Sequence, residues 1–206
     1  MKIKKIVCGP LETNCYVLWC EDTMEGIIID PGSDVSDILS FIDKTGITVK
    51  HILLTHGHFD HCCGLQALKQ RFAVHITIHK DDIIYVAEAK NHALLYGIRV
   101  SEIPLPDRFL EDGDTFYFGK YAITAIATPG HTPGGVCFLA GNHLFSGDTL
   151  FQGSVGRTDL PGGNHVRLLE SITTRLYTLP LNTIVYPGHG SETSIAEEKN
   201  FNPFTS

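Results

Sequence analysis

Short apolar runs punctuated by turn residues dominate the chain, with stretches of helical spacing set between them. Residues 2–7 and 15–19 read as strands, and Gly26-Ile27-Ile28-Ile29-Asp30 is a buried strand ending in the turn signal Pro31-Gly32. Within 34–44, Val35, Ile38, Leu39 and Ile42 have the spacing of an amphipathic helix, stopped near Gly46. His51-Ile52-Leu53-Leu54 is a further short buried strand, 64–72 reads as helix and 73–78 as strand. From 81 to 110 the first part suits a helix, while Pro104 and Pro106 make the remainder a loop. Strands return at 115–118, 121–127, 136–139 and 143–146; a helix fits 165–177, and a strand at 183–186 precedes Pro187-Gly188-His189-Gly190.

This order gives two halves of similar make-up, an internal pseudo-repeat of sheet plus helix. Strands that are apolar along their whole length need cover on both faces. Two sheets packed face to face with helices outside provide it, an α/β architecture. No composition shift or linker divides residues 1–206, so one domain is expected. A chain of this length buries roughly 70% of its unfolded surface, enough for a sizeable core.

Composition removes several classes of function. With 16 Lys+Arg against 23 Asp+Glu the formal net charge is −7, and no dense basic run occurs beyond Lys2, Lys4 and Lys5. Nucleic acid is therefore not an expected partner. No apolar stretch approaches the ~18 residues of a membrane span. The first residues, MKIKKIVCGPLETN, lack the apolar core of a secretory signal. The six cysteines (8, 15, 20, 62, 63 and 137) form no C-x-x-C pair, which suits reduced thiols in a cytoplasm.

The chemistry concentrates in Thr55-His56-Gly57-His58-Phe59-Asp60-His61, between a buried strand and a helix. In extended chain, residues two apart face the same way, so His56 and His58 could grip one cation. Asp60 and His61 are neighbours, and only a turn would aim both inward, where they could hold a second. Three further candidates follow strands in the same manner: His131 after Pro129-Gly130, Asp148 after Ser146-Gly147, and His189 after Pro187-Gly188. Rigid strands with polar groups at their ends suit a metal site.

These residues resemble the metallo-β-lactamase-fold hydrolases, with their H-x-H-x-D-H signature and three downstream ligands, along nearly the whole chain. Within that superfamily the chain looks most like the glyoxalase II (hydroxyacylglutathione hydrolase)-like branch. Thr128-Pro129-Gly130-His131-Thr132-Pro133-Gly134, Phe145-Ser146-Gly147-Asp148-Thr149-Leu150-Phe151 and Tyr186-Pro187-Gly188-His189-Gly190 carry that likeness. Gly156-Arg157-Thr158-Asp159 and Asn202-Pro203-Phe204 are similar to short single-domain members. The resemblance implies a four-layer αββα sandwich of two mixed sheets. It implies His56, His58 and His131 on one metal, Asp60, His61 and His189 on the other, and Asp148 bridging both. Two divalent ions are implied, Zn²⁺ before iron or manganese. Ions ~3.5–4 Å apart can share a water and lower its pKa to about 7, giving a hydroxide that attacks a carbonyl. The expected reaction is hydrolysis of a small-molecule thioester or activated ester, S-lactoylglutathione being one candidate. Asp60, His58 and Asp148 are the residues expected to act in the chemistry, with Asp60 also orienting the nucleophile and receiving its proton.

Two departures limit the likeness. Only 17 residues follow His189, so the helical C-terminal domain with which longer glyoxalase II enzymes hold glutathione has no counterpart here. Cys63 stands where the family usually has glycine. Cys62 and Cys63 read first as small packing groups and second as a redox switch beside the metals. Arg157 suits either an anionic substrate or an internal ion pair. His51, His75, His79, His92, His143 and His165 take a structural reading, with His75 and His79 on one face of a strand. The competing functions are a persulfide dioxygenase with one iron on His56, His131 and Asp148, another esterase or lactonase of this fold, and a metal-binding module without turnover.

Overall fold

In the computed structural model, which describes residues 1–100 and 102–205, the chain forms two six-stranded sheets and a two-stranded ribbon. Ser101, inside the loop expected over 81–110, and Ser206 lie outside the described residues. The first sheet has strand order β1 (Lys2–Cys8), β2 (Thr13–Trp19), β3 (Glu25–Ile29), β4 (Thr48–Leu53), β5 (Ile76–His79) and β6 (Arg108–Leu110). Its first three strands run antiparallel and the rest parallel. The parallel crossovers are made by helices α1 (Ser36–Thr45), α2 (Phe59–Cys62) with α3 (Leu65–Arg71), and α4 (Ile83–Leu95). The second sheet contains β7 (Thr115–Phe118), β8 (Tyr121–Ala127), β9 (Val136–Ala140) and β10 (His143–Gly147). After the ribbon of β11 (Leu150–Phe151) and β12 (Ser154–Val155) come α5 (His165–Ser171), β13 (Ile184–Pro187), β14 (Thr193–Ser194) and α6 (Ile195–Phe201). Here β13 pairs parallel to β10, making this sheet mixed as well.

Side-chain alternation along the strands divides the interior into three apolar layers. Ile27, Ile29, Leu53, Phe138 and Phe145 pack between the sheets. Ile28, Ile52 and Leu54 face the other way, against Ile38 and Ile42 of α1 and Leu65 and Leu68 of α3. On the far side Cys137, Leu144 and Val185 pack on Leu168 of α5 and Ile195 of α6. The result is the expected αββα sandwich. Each fully buried Ile, Leu or Phe contributes about 1.5–3 kcal/mol, so continuous apolar strands are what a doubly covered sheet requires. Among the described residues no helix is long and apolar enough to cross a membrane.

Several elements differ from the sequence-based expectation. β6 falls inside the predicted loop; it is three residues long, and Leu110 is its one buried side chain, too little for a pattern to reveal. The strand predicted over 73–78 runs Ile76–His79, so His75 stands before it and does not share its face with His79. His79 instead accepts a bond from Asp81 N and starts a short 3₁₀ turn, Lys80–Asp82. The helix predicted over 165–177 is α-helical only to Ser171 and continues as a π-helical stretch, Ile172–Leu176.

The loops after β3, β4, β8, β10 and β13 converge at one edge of the sandwich, where hydrogen bonds fasten the sheets together. Asn14 N donates to Gly188 O (2.7 Å), its side chain to Pro187 O (2.9 Å), and Tyr16 OH to Pro187 O (2.7 Å). Val136 N donates to Thr55 O at 2.9 Å. A buried carboxylate adds a second fastening. Asp82 accepts from Gly57 N (2.9 Å), Thr132 Oγ1 (2.7 Å) and Gly134 N (2.7 Å), tying the loop after β4 to the loop after β8. Burial raises its pKa, and these three donors hold it back toward the ionised form. Because all three partners are donors, Asp82→Asn turns an amide NH₂ toward at least one of them. The variant should lose about 2–4 kcal/mol of stability in a denaturant titration; a midpoint equal to the wild type would contradict this role.

Candidate metal centre

All seven side chains singled out from the sequence meet at that edge. Strand β4 leads into His56, the chain bends at Thr55 and His56, and after an extended His58 the single helical turn of α2 swings Asp60 and His61 inward. Such a turn is what adjacent ligands require. His131, Asp148 and His189 arrive from the ends of β8, β10 and β13. The ligand-type atoms of His56, His58 and His131 lie within 4.8 Å of one another, as do those of Asp60, His61 and His189, and those of His56, His61 and Asp148. Asp148 sits between the first two groups: its Oδ2 is 3.7 Å from His131 Nε2 and 3.7 Å from His189 Nε2, and its Oδ1 is 3.4 Å from His61 Nε2. Gly188 permits this approach, since a Cβ there would overlap Asp148 Oδ1 and His61 Cε1.

Four of the imidazoles are aimed by their other nitrogen. His131 Nδ1 donates to Arg157 O (2.8 Å), His189 Nδ1 to Leu11 O (3.0 Å), His61 Nδ1 to Asp30 Oδ2 (3.0 Å) and His56 Nδ1 to Thr55 Oγ1 (3.1 Å). In each case Nε2 is left facing the cluster, the arrangement by which metal-binding histidines are oriented. Asp30 also accepts from Thr55 N (2.8 Å) and Thr55 Oγ1 (2.6 Å). Thr13 Oγ1 donates to Asp60 Oδ2 at 3.2 Å.

The electrostatics of the protein alone are strained. Burial, helped by the charges of His61 and His131, pushes His56 well below the ordinary imidazole range. Burial and His131 push His58 down to about 3. Burial would also lower His61, but Asp60, Asp148 and Asp30 outweigh it and hold His61 well above its usual value. Burial opposes ionisation of Asp148, yet His61 above all keeps its carboxyl well below the carboxylate range. His56 Nε2, His61 Nε2 and Asp148 Oδ1 are buried with no hydrogen-bond partner. Unpartnered buried polar atoms of this kind are costly in a folded protein and fit divalent cations bound among them.

The cluster forms the floor of a cleft of about 530 Å³. Arg157 lines it while forking onto Asp159 through two 2.7 Å hydrogen bonds, so the internal ion pair accounts for its charge. His92, given a structural reading from the sequence, also lines the cleft. His143 keeps the structural reading, bonded to Tyr186 OH at 3.2 Å, and His51 packs edge-on against Phe116. Cys62 and Cys63 are buried, burial pushing Cys62 well up and Cys63 to about 12, so both are thiols that pack in the core. Sequence reasoning missed Asp30 and Asp82. For Asp30 the available signal was a carboxylate ending an otherwise apolar buried strand.

The chain matches the family model described as the metallo-beta-lactamase superfamily over residues 8–189. It is 38% identical over 208 residues to the probable metallo-hydrolase YqgX of Bacillus subtilis, covering 99% of this chain and 97% of that protein. It is 36% identical to the hydroxyacylglutathione hydrolase GloC of Haemophilus influenzae, covering 99% and 98%. Among solved structures, BLEG-1 B3 metallo-beta-lactamase superposes with a TM-score of 0.92 at 37% identity over 100% of both chains. TTHA1623 in a di-iron-bound form superposes with a TM-score of 0.89 at 37% identity, over 98% of this chain and 99% of that one. Fold, site and relatives agree: the chain belongs to the metallo-beta-lactamase superfamily as one of its metallo-hydrolases.

Proposed function

We propose that this chain is a binuclear metal-dependent thioester hydrolase whose site is built like that of the hydroxyacylglutathione hydrolases. The observation that carries the reading is the meeting of five imidazoles and two carboxylates, with buried unpartnered Nε2 and carboxylate oxygens, on the floor of an open cleft. In this reading His56, His58 and His131 hold one cation, Asp60, His61 and His189 the other, and Asp148 both. Nitrogen and oxygen donors of this kind suit Zn²⁺ first; a relative of known structure carries two irons, so iron is the second choice. The identity to GloC along nearly the whole length of both proteins supports a thioester over other activated esters.

When bound, two such cations would acidify a water and polarise the substrate carbonyl. The protein's own part is to orient and to take the proton. Asp60, kept ionised by its neighbours His61 and His189 against the cost of burial, accepts the proton of the attacking water at its carboxylate. Thr13 fixes Asp60 Oδ2, and Asp30, Leu11 and Arg157 keep three imidazoles from turning. Hydrolysis breaks the carbonyl C–S bond; Asp60 returns its proton to the leaving thiolate, giving the thiol, and the second proton of the water leaves with the acid and passes to solvent as the carboxylate forms.

Two outcomes test this. Asp148→Ala removes the shared oxygens, so metal analysis should find fewer than two ions per chain and thioester turnover should fall by more than about 100-fold. Two retained ions with wild-type turnover would contradict the assignment. In the same screen, one iron per chain with stoichiometric oxygen uptake on glutathione persulfide would replace the hydrolase reading by the dioxygenase one. Turnover of a cephalosporin without turnover of any thioester would replace it by a lactamase. Second, His61 and His189 have raised proton affinity in the metal-free protein, and a ligand nitrogen must give its proton up. Metal loading at pH 7 should therefore release protons, read by calorimetry in buffers of different ionisation enthalpy. Loading that releases none would contradict ligation through these imidazoles.

A further inference from the structure

The walls of the cleft differ from its floor. Above the histidines and aspartates stand Leu11, Phe59, Leu95, Tyr96, Phe151 and Leu160. The rings of Phe59 and Tyr96 pack with centroids 5.0 Å apart and planes tilted by 35°. α4 supplies this wall while being apolar on more than one side: Val86, Ala89 and Ala93 turn into the core, yet Leu95 at its end is 82% exposed and Tyr96 just beyond it 56% exposed. Apolar surface held in water beside a reaction centre is surface a ligand can cover. The polar groups of the same wall are already engaged. Tyr85 OH donates to Pro161 O (3.0 Å), and the Arg157 guanidinium is forked onto Asp159. Besides the five cluster residues that line the cleft (His58, Asp60, His131, Asp148 and His189), His92 is the remaining polar side chain among the described lining residues.

Across the floor the surface changes character. Phe151 and His189 also border an open groove lined by Gln152, Ser154, Val155, Gly190 and Ser191. Lys5 Nζ donates to Gly190 O at 3.3 Å at that groove. The ribbon forming one side is anchored from α6, where buried Glu198 accepts from Gly153 N (2.9 Å), and from Asn202, whose Nδ2 donates to Ser154 O (3.0 Å). A thioester cleaved between the two depressions lays one half in each. A polar half in the apolar cleft would lose water without gaining partners, a net penalty.

We propose, resting on the thioesterase reading above, that the cleft beneath α4 receives an apolar acyl group while the open groove takes a hydrophilic thiol carrier. The substrate class is then thioesters of hydrophobic carboxylic acids, in preference to small hydroxyacyl thioesters such as lactoyl. Leu95 and Tyr96 are the specificity-determining residues, and the ribbon braced by α6 is the carrier side of the site.

The test uses the metal-loaded protein with N-acetylcysteamine thioesters of acetic, lactic, propionic, butyric and hexanoic acids. The expected result is a rise in kcat/KM of roughly threefold per methylene, with lactoyl below propionyl. Leu95→Asn and Tyr96→Ser, both at exposed positions, should each shrink the hexanoyl-to-acetyl ratio by roughly fivefold or more. Calorimetry provides a readout without turnover: hexanoate should bind the loaded wild type more tightly than acetate, and the two variants should narrow that gap. A flat series, a preference for lactoyl, or an unchanged ratio in both variants would overturn the proposal. If no thioester is hydrolysed by protein carrying two metals, the thioesterase reading fails. The carboxylate-binding comparison then decides the apolar cleft by itself, and equal affinities for hexanoate and acetate would overturn it.

Discussion

Imidazole rings rotate freely unless their second nitrogen is held, and this site depends on that restraint. His61, His131 and His189 each commit Nδ1 to a fixed acceptor, and those acceptors lie far away in sequence: Asp30 after β3, Arg157 O after the ribbon, and Leu11 O in the β1–β2 turn. The geometry of the cluster is therefore a property of the whole sandwich. The stitching of Asn14 and Tyr16 to Pro187 and Gly188 holds Leu11 and His189 in register across the two sheets. The Asp82 carboxylate does the same for the loops carrying His58 and His131. Without cations, the fold gathers like charges and unpartnered polar atoms in one place. Stability is given up locally so that binding can recover it, a common relation between a functional site and its scaffold.

How much of this was legible in the sequence follows from the range of each interaction. The strands of both sheets could be read because a doubly buried strand is apolar at every position, a local signal. The cluster from His56 to His61 could be read because its spacing is local too, and the later ligands because each follows an apolar strand and a turn. Asp30 and Asp82 were not legible as parts of the site. Their meaning lies in partners 25 to 52 residues away, and in sequence one resembles a turn residue and the other the acidic start of a helix. β6 was hidden because Leu110 is its one buried side chain, and His92 because only the path of α4 past the cleft gives it a place there.

Two surfaces flank the His/Asp cluster: an apolar wall from α4 on one side, and an open groove braced by Glu198 and Asn202 on the other. Asn202-Pro203-Phe204 has a mechanical reason: its asparagine anchors the ribbon that flanks His189.

The most direct measurement is anomalous X-ray scattering from crystals of the zinc-loaded protein. Two peaks ~3.5–4 Å apart are expected, one against His56, His58 and His131, the other against Asp60, His61 and His189, with Asp148 reaching both. A single peak, or density remote from Asp148, would contradict the account.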